Sequence, residues 1–254
     1  MNTPVTILSP HFDDAVLSCW TVLSGPGDVH VVNVFGGQPA EGQSGWWDHE
    51  SSIDDPTQAI PARIEEDRRA LALAGRTATN LDFLDAQYRS QVEQAAEPLA
   101  EALADAVAPG AVVYAPAAVG PLPDHFRSPY PPGTPHPDHL AVRTAALALA
   151  ARGHELRLYA DFPHASIYGL PAWVLGVDAP AGRADELWAR MLGSDGLASR
   201  KLEPVVRRLD DAAFARKLEA VRTYASQVPA IETIFERRID DPQLLGYEVA
   251  WRVG

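Results

Sequence analysis

The chain has a single cysteine, Cys19, among 254 residues, so an internal disulfide is excluded and the fold has to be held by its core. Positive charge is scarce as well: 21 Lys and Arg stand against 34 Asp and Glu, a net charge of −13. A nucleic-acid-binding surface needs a Lys/Arg surplus to displace phosphate counterions, and a polybasic membrane anchor needs a basic cluster; the sequence has neither. No stretch approaches the ~18–20 uncharged apolar residues of a membrane span. The opening MNTPVTILSPHFDD lacks the basic and long apolar regions of a secretory signal. There is no internal repeat. These absences lead to the expectation of a cytoplasmic globular protein with no nucleic-acid partner and no membrane span. The length suits one domain over residues 1–254 with a sizeable core, and a homo-oligomer is compatible with it.

Proline is abundant instead, with 22 residues. Eight fall in the segment 116–137. A second breaker-rich segment runs 163–182, and a third, 36–62, carries four glycines with Trp46 and Trp47. Loops this long in a compact domain are usually functional, and their aromatic residues suit the walls of a site. Between them, apolar runs at Val5–Ser9, Val29–Phe35, Leu81–Leu84, Ala111–Tyr114, Leu156–Asp161 and Glu248–Val253 read as strands. Helices are expected over Ala15–Leu23, Arg63–Ala74, Val92–Val107, Pro137–Ala151 and Phe214–Ser226. The alternation predicts an α/β fold: a single-domain, Rossmann-like, mostly parallel sheet with helices on both faces and long active-site loops. In such sheets the site lies beyond the carboxyl ends of the strands.

Two motifs fall at such ends. Ser9-Pro10-His11-Phe12-Asp13-Asp14 follows the first expected strand. A histidine and adjacent carboxylates on a short turn form a metal-ligand constellation. The competing reading is that Asp13 or Asp14 N-caps the next helix. The second motif, His136-Pro137-Asp138-His139, closes the proline-rich loop, with Pro137 suited to a first helical position. Two of the chain's eight histidines lie within these four residues. Together the motifs offer His11, Asp14 and His139 as ligands with a fourth position open, the pattern of a catalytic zinc site. Asp13 is then a candidate base, and His136 a candidate acid or oxyanion donor oriented by Asp138.

These residues resemble the PIG-L/LmbE-like family of zinc-dependent N-acetylglucosamine-type deacetylases. That family carries Pro-His-Pro-Asp-Asp-Glu after its first strand and His-x-Asp-His later. The resemblance extends to Arg63-Ile64-Glu65-Glu66, Leu81–Asp85, Asp161-Phe162-Pro163-His164, Lys217 with Tyr224-Ala225-Ser226-Gln227, and Glu248–Arg252, covering nearly the whole chain in order. It implies His11, Asp14 and His139 as Zn2+ ligands (another divalent ion such as Fe2+ fits the same donors), Asp13 as base, His136 as oxyanion donor and Asp138 as the holder of its tautomer. It also implies an amino-sugar-containing small molecule as substrate, losing an N-acetyl or other N-acyl group. Phe12, Ala15 and His164 stand where the family usually has proline, glutamate and tyrosine.

Arg63, Trp47 and His164 are the substrate-binding candidates, with Trp46, His125 and Tyr130 as further wall residues. For Arg63 the alternative is a surface arginine paired with Glu66 or Asp67. Cys19 reads as a buried helix residue. Two other functions use the same features. Two histidines and a carboxylate also make the facial triad of non-haem Fe(II) oxygenases, though those are mostly antiparallel barrels. A non-catalytic sugar-binding relative would keep the fold alone.

Overall fold

The computed structural model describes residues 3–51, 56–89, 99–123, 130–131, 133–194 and 196–254. Seven strands form one sheet: β1 (Val5–Ser9), β2 (Val29–Asn33), β3 (Ala78–Asn80), β4 (Val112–Pro116), β5 (Leu156–Tyr159), β6 (Leu202–Arg208) and β7 (Tyr247–Val253). Their order is β3-β2-β1-β4-β5-β7-β6. The first five run parallel, while β7 pairs antiparallel with β5 and β6. Every residue of β4 and four of the five in β1 are buried, which is why both read as apolar runs rather than alternating ones. The chain changes direction across the sheet between β1 and β4, so a crevice opens beyond their carboxyl ends.

Helices α1 (Asp14–Leu23), α2 (Ala59–Ala72) and α7 (Asp211–Val221) pack together on one face. On the other face α3 (Leu99–Ala106) packs on α4 (Pro137–Ala151), which lies along β4 and β5. Helices α5 (Ala172–Leu175), α6 (Arg183–Leu192), α8 (Val228–Ile234) and α9 (Pro242–Leu245) complete the described set. Among the described residues no helix is long and apolar enough to cross a membrane.

Several expected bounds move. The strand expected at Leu81–Leu84 is instead β3, three residues earlier. Leu81–Leu84 continues as irregular chain, with Leu81 N–H bonded to Asn33 O and Gly37 N–H to Phe83 O. Helix α2 starts at Ala59, inside the segment taken as loop, and α7 starts at Asp211 because Asp210 caps it by accepting the Ala213 N–H. Of the helix expected over Val92–Val107, residues 92–98 lie outside the described residues. Helix α6 and strand β6 fall outside the expected elements altogether. Strand β6 is exposed on both faces and carries Pro204, so it shows neither an apolar run nor alternation.

Helix α1 is broken at Cys19, whose backbone leaves the helical region (φ −131°, ψ 27°). The two N–H groups released there, Trp20 and Thr21, are taken by the Glu248 carboxylate of β7 at 2.7 and 2.9 Å. Lys217 from α7 completes the contact at 2.9 Å, fully buried. Burial and the neighbouring Glu248 push the Cys19 thiol well above its ordinary value, as suits a core residue rather than a reactive one. Removing Glu248 strands a buried ammonium and two N–H groups. Glu248→Ala is therefore expected to lower the unfolding free energy by ~3–5 kcal/mol in urea titration, and a loss under about 1 kcal/mol would contradict this account.

Candidate active site

The turn after β1 is organised by Ser9. Its Oγ donates to His11 O at 2.5 Å and accepts the Ala15 N–H at 3.0 Å. Ser9 thus satisfies the start of α1, and Asp13, at the N-cap, makes no side-chain cap. Asp14 turns back, its Oδ2 accepting the His11 N–H at 2.8 Å. The capping alternative is therefore not what these carboxylates do: Asp14 holds the His11 turn, and Asp13 faces a cleft.

The second motif sits on the first turn of α4, with Pro137 at the first helical position. His136 is the N-cap, and its Nδ1 accepts the Asp138 N–H at 3.3 Å. With Nδ1 held as acceptor, the neutral ring carries its proton on Nε2. Here the structure corrects the expected role of Asp138, whose amide rather than carboxylate orients His136. The carboxylate is committed elsewhere: to His11 Nε2 at 3.1 Å, to the Ala86 N–H at 2.9 Å and to Arg89.

His11, Asp14 and His139 present donor atoms within 4.8 Å of one another. Asp14 Oδ1 lies 3.5 Å from His139 Nε2. His139 Nδ1 is bonded to Asp161 Oδ2 at 3.0 Å, while its buried Nε2 has no hydrogen-bond partner. A buried imidazole nitrogen with no partner, on a ring oriented by a carboxylate, is what a histidine ligand to a cation presents. The donor set therefore fits a divalent metal. His11, His136 and Asp138 form a second such group, but the Arg89 guanidinium on Asp138 disfavours a cation there.

The electrostatics differ sharply among neighbours. Burial, aided by the charge of Asp14, raises the Asp13 carboxyl to about 6. Burial would raise Asp14 too, but His139 and the bonds from His11 hold it at about 2. Burial works against a charged His11, yet Asp138 and Asp14 outweigh it and raise its pKa well above the ordinary value. His136 goes the other way, lowered by burial and by the His11, His139 and His164 rings. Two adjacent carboxyls are thus pushed in opposite directions, one towards protonation and one towards ionisation.

His11, Asp13, Asp14 and His136 line one cleft beyond the carboxyl ends of the parallel strands. Arg63, Trp47 and His164 line it as well. Arg63 is buried and bonded to Asp48 Oδ1 at 3.1 Å, so it is neither a surface residue nor paired with Glu66 or Asp67. The indole of Trp47 donates to Gln227 Oε1 at 2.8 Å, and Trp46 stacks edge-on against it. His164 packs against His136, His139 and Phe235, and burial and His139 lower its pKa to about 4. Gly120 permits this placement, since a Cβ there would sit 2.0 Å from the His164 carbonyl. Tyr130 donates to Ala86 O at 3.2 Å and is not part of the cleft wall. His125 lies outside the described residues.

Residues to which the sequence reading assigned no role are those that hold the others. Asp161 orients His139 and also accepts the Val119 N–H at 3.1 Å. Asp48 accepts both Arg63 and the Tyr88 hydroxyl. Asp85 lies 3.9 Å from His11 Nε2. Asp161 and Asp85 follow the ends of β5 and β3, a position that could have flagged them; Asp48 carries no comparable signal.

An α/β sheet of this order, with buried histidine and carboxylate donors gathered beyond β1 and β4, defines a protein built around a polar strand-end site. The chain belongs to the PIG-L family, described as GlcNAc-PI de-N-acetylase, whose model matches residues 6–150. No curated protein sequence matches significantly. Among solved structures, the deacetylase of the A40926 pseudoaglycone is 28% identical, with a TM-score of 0.69 over 100% of this chain and 98% of its own. A deacetylase from the teicoplanin biosynthetic pathway is 25% identical, with a TM-score of 0.68 over 99% and 98%. The N,N'-diacetylchitobiose deacetylase of Pyrococcus horikoshii, 16% identical with a TM-score of 0.52 over 99% and 84%, shares the fold.

Behind Asp13, Asp67 accepts the Tyr224 hydroxyl at 2.8 Å and the Asn33 amide at 2.7 Å. Burial raises its pKa to about 7, so the folded protein keeps a proton that the unfolded chain gives up above about pH 4. The stability due to this group is present at low pH and is lost as pH rises towards about 7. In urea titrations, Asp67→Asn should therefore gain stability relative to the native sequence between about pH 5 and pH 8. An unchanged difference would refute the raised pKa.

Proposed function

We propose that the protein is a metal-dependent amide hydrolase that removes an N-acetyl, or other N-acyl, group from an amino-sugar-containing small molecule. The observation that carries this reading is the triad His11, Asp14 and His139, gathered within 4.8 Å, of which His11 and Asp14 line the same cleft as Asp13 and His136. Membership of the PIG-L family and the deacetylase neighbours support the reaction class. When bound by the triad, a divalent cation, Zn2+ or another such as Fe2+, supplies Lewis acidity, acidifying water and polarising the amide carbonyl.

The chain's own residues do the rest. Asp13 takes a proton from the attacking water and passes it to the departing nitrogen. His136, neutral and protonated on Nε2, donates to the carbonyl oxygen as negative charge develops there, with its ring held by the Asp138 amide. Asp161 keeps His139 in the tautomer that leaves Nε2 free to ligate. Arg63, held by Asp48, and the Trp46–Trp47 pair form the wall against which sugar hydroxyls and ring faces rest. One amide and one water give a carboxylate and an amine. An oxygenase reading uses the same triad but leaves Asp13 and His136 without a task, and the parallel sheet is unlike the barrels that chemistry favours.

Asp13→Ala should lower kcat on an N-acetylglucosaminyl substrate by ~10²–10⁴-fold while the protein still takes up one equivalent of zinc. Full activity with full metal content would overturn the assignment. In the native enzyme the acid limb of kcat/KM should lie at or below about pH 6, since a bound cation further lowers the Asp13 pKa.

Asp138 and Asp14 outweigh burial and raise the pKa of His11, and ligation requires the neutral ring. Zinc binding near pH 7 should therefore release protons. Calorimetry in buffers of different ionisation enthalpy should give apparent binding enthalpies that scale with the buffer, and enthalpies independent of the buffer would overturn the raised pKa of His11.

A further inference from the structure

Strand β6 is an open edge of the sheet, bonded only to β7 among the described residues. Six of its seven residues are exposed, including Val205 at 46% and Val206 at 37%. Leu209 N–H donates to Gly246 O and Gly254 N–H to Lys201 O, each at 2.9 Å. These two bonds flank the β6–β7 ladder and set its phase: Glu203, Val205 and Arg207 turn their backbone groups to β7. Leu202, Pro204, Val206 and Arg208 therefore direct theirs to the open side. Pro204 sits where β7 asks no N–H of it.

An edge presenting unpaired groups and exposed valines invites another strand. We propose that this edge is the contact between two copies of the chain, paired antiparallel about a two-fold axis at Val205. That register brings Val205 against Val205. It sets Glu203 opposite Arg207 of the second copy, and Arg207 opposite Glu203. Leu202 and Arg208 exchange backbone hydrogen bonds across the axis, and each Val206 N–H meets the carbonyl of the opposing Pro204. A shift of two residues one way places Arg207 opposite Lys201; a shift the other way places it opposite Val205. Of these three registers only the one centred on Val205 matches charge with charge, and a two-fold interface repeats that match. The apolar surface continues beyond the strand. Trp173, 41% exposed, packs edge-on against Trp251, which pairs with Pro204. Two seven-stranded sheets become one continuous sheet, with both clefts at the far ends of their parallel strands.

Sedimentation velocity of the full chain tests this. The native protein should sediment as a dimer. Arg207→Glu and Glu203→Arg, each of which sets like charges opposite one another twice, should weaken it about tenfold. The double variant E203R/R207E should restore native association. Val206→Pro, which removes an outward N–H and is tolerated on an edge, should also weaken the dimer, with circular dichroism unchanged. A native monomer at all concentrations overturns the proposal. So does a dimer that none of these variants weakens, or a double variant as weak as the singles.

Discussion

The site depends on how one buried carboxylate divides its two oxygens. Asp14 gives Oδ2 to the amide of His11 and turns Oδ1 towards His139, joining the β1–α1 turn to the start of α4. Burying that charge is costly unless it is surrounded by donors or cations, and His11, His139 and the turn amide meet the requirement. The same charge acts on its neighbour: with Asp14 ionised beside it, Asp13 ionises reluctantly. Burial and one anchored anion thus set the two adjacent carboxyls apart.

A ring of buried polar pairs holds this centre in place. Asp161 fixes His139 from the end of β5, and Asp138 gathers His11 from one part of the chain and the Ala86 amide and Arg89 from another. Asp48 ties the tryptophan-bearing loop to α2 through Arg63 and to Tyr88. Glu66 accepts from the Ser226 amide and hydroxyl, and Gln227 beside it receives Trp47. Among the described residues, the buried carboxylates other than Glu248 gather around the cleft.

The legible part of the fold is the part whose burial is uniform. Strands β1, β2, β4 and β5 are apolar runs because helices cover both faces, and α4 starts at Pro137 as its sequence indicates. The edges were not legible. Strand β3 is three residues long and β6 is exposed with a proline inside, so neither carries a period. In the site, the two motifs were visible because their residues are close in sequence. Asp85 and Asp161 lie in segments that carry the resemblance, but their partners are distant in sequence, and Asp48 is a single aspartate in ordinary surroundings.

Chain order and residue type alone determined the alternation of strand and helix, the placing of both histidine motifs at element ends, and the exclusion of an internal disulfide. The tertiary structure decided which oxygen of each carboxylate faces which partner. It assigned Ser9 rather than Asp13 to the helix start, and the amide rather than the carboxylate of Asp138 to His136. The reason is physical. Periodicity and composition report on burial, which is averaged along a segment. The role of a carboxylate depends on a few ångströms of geometry, and on charges brought beside it from distant parts of the chain.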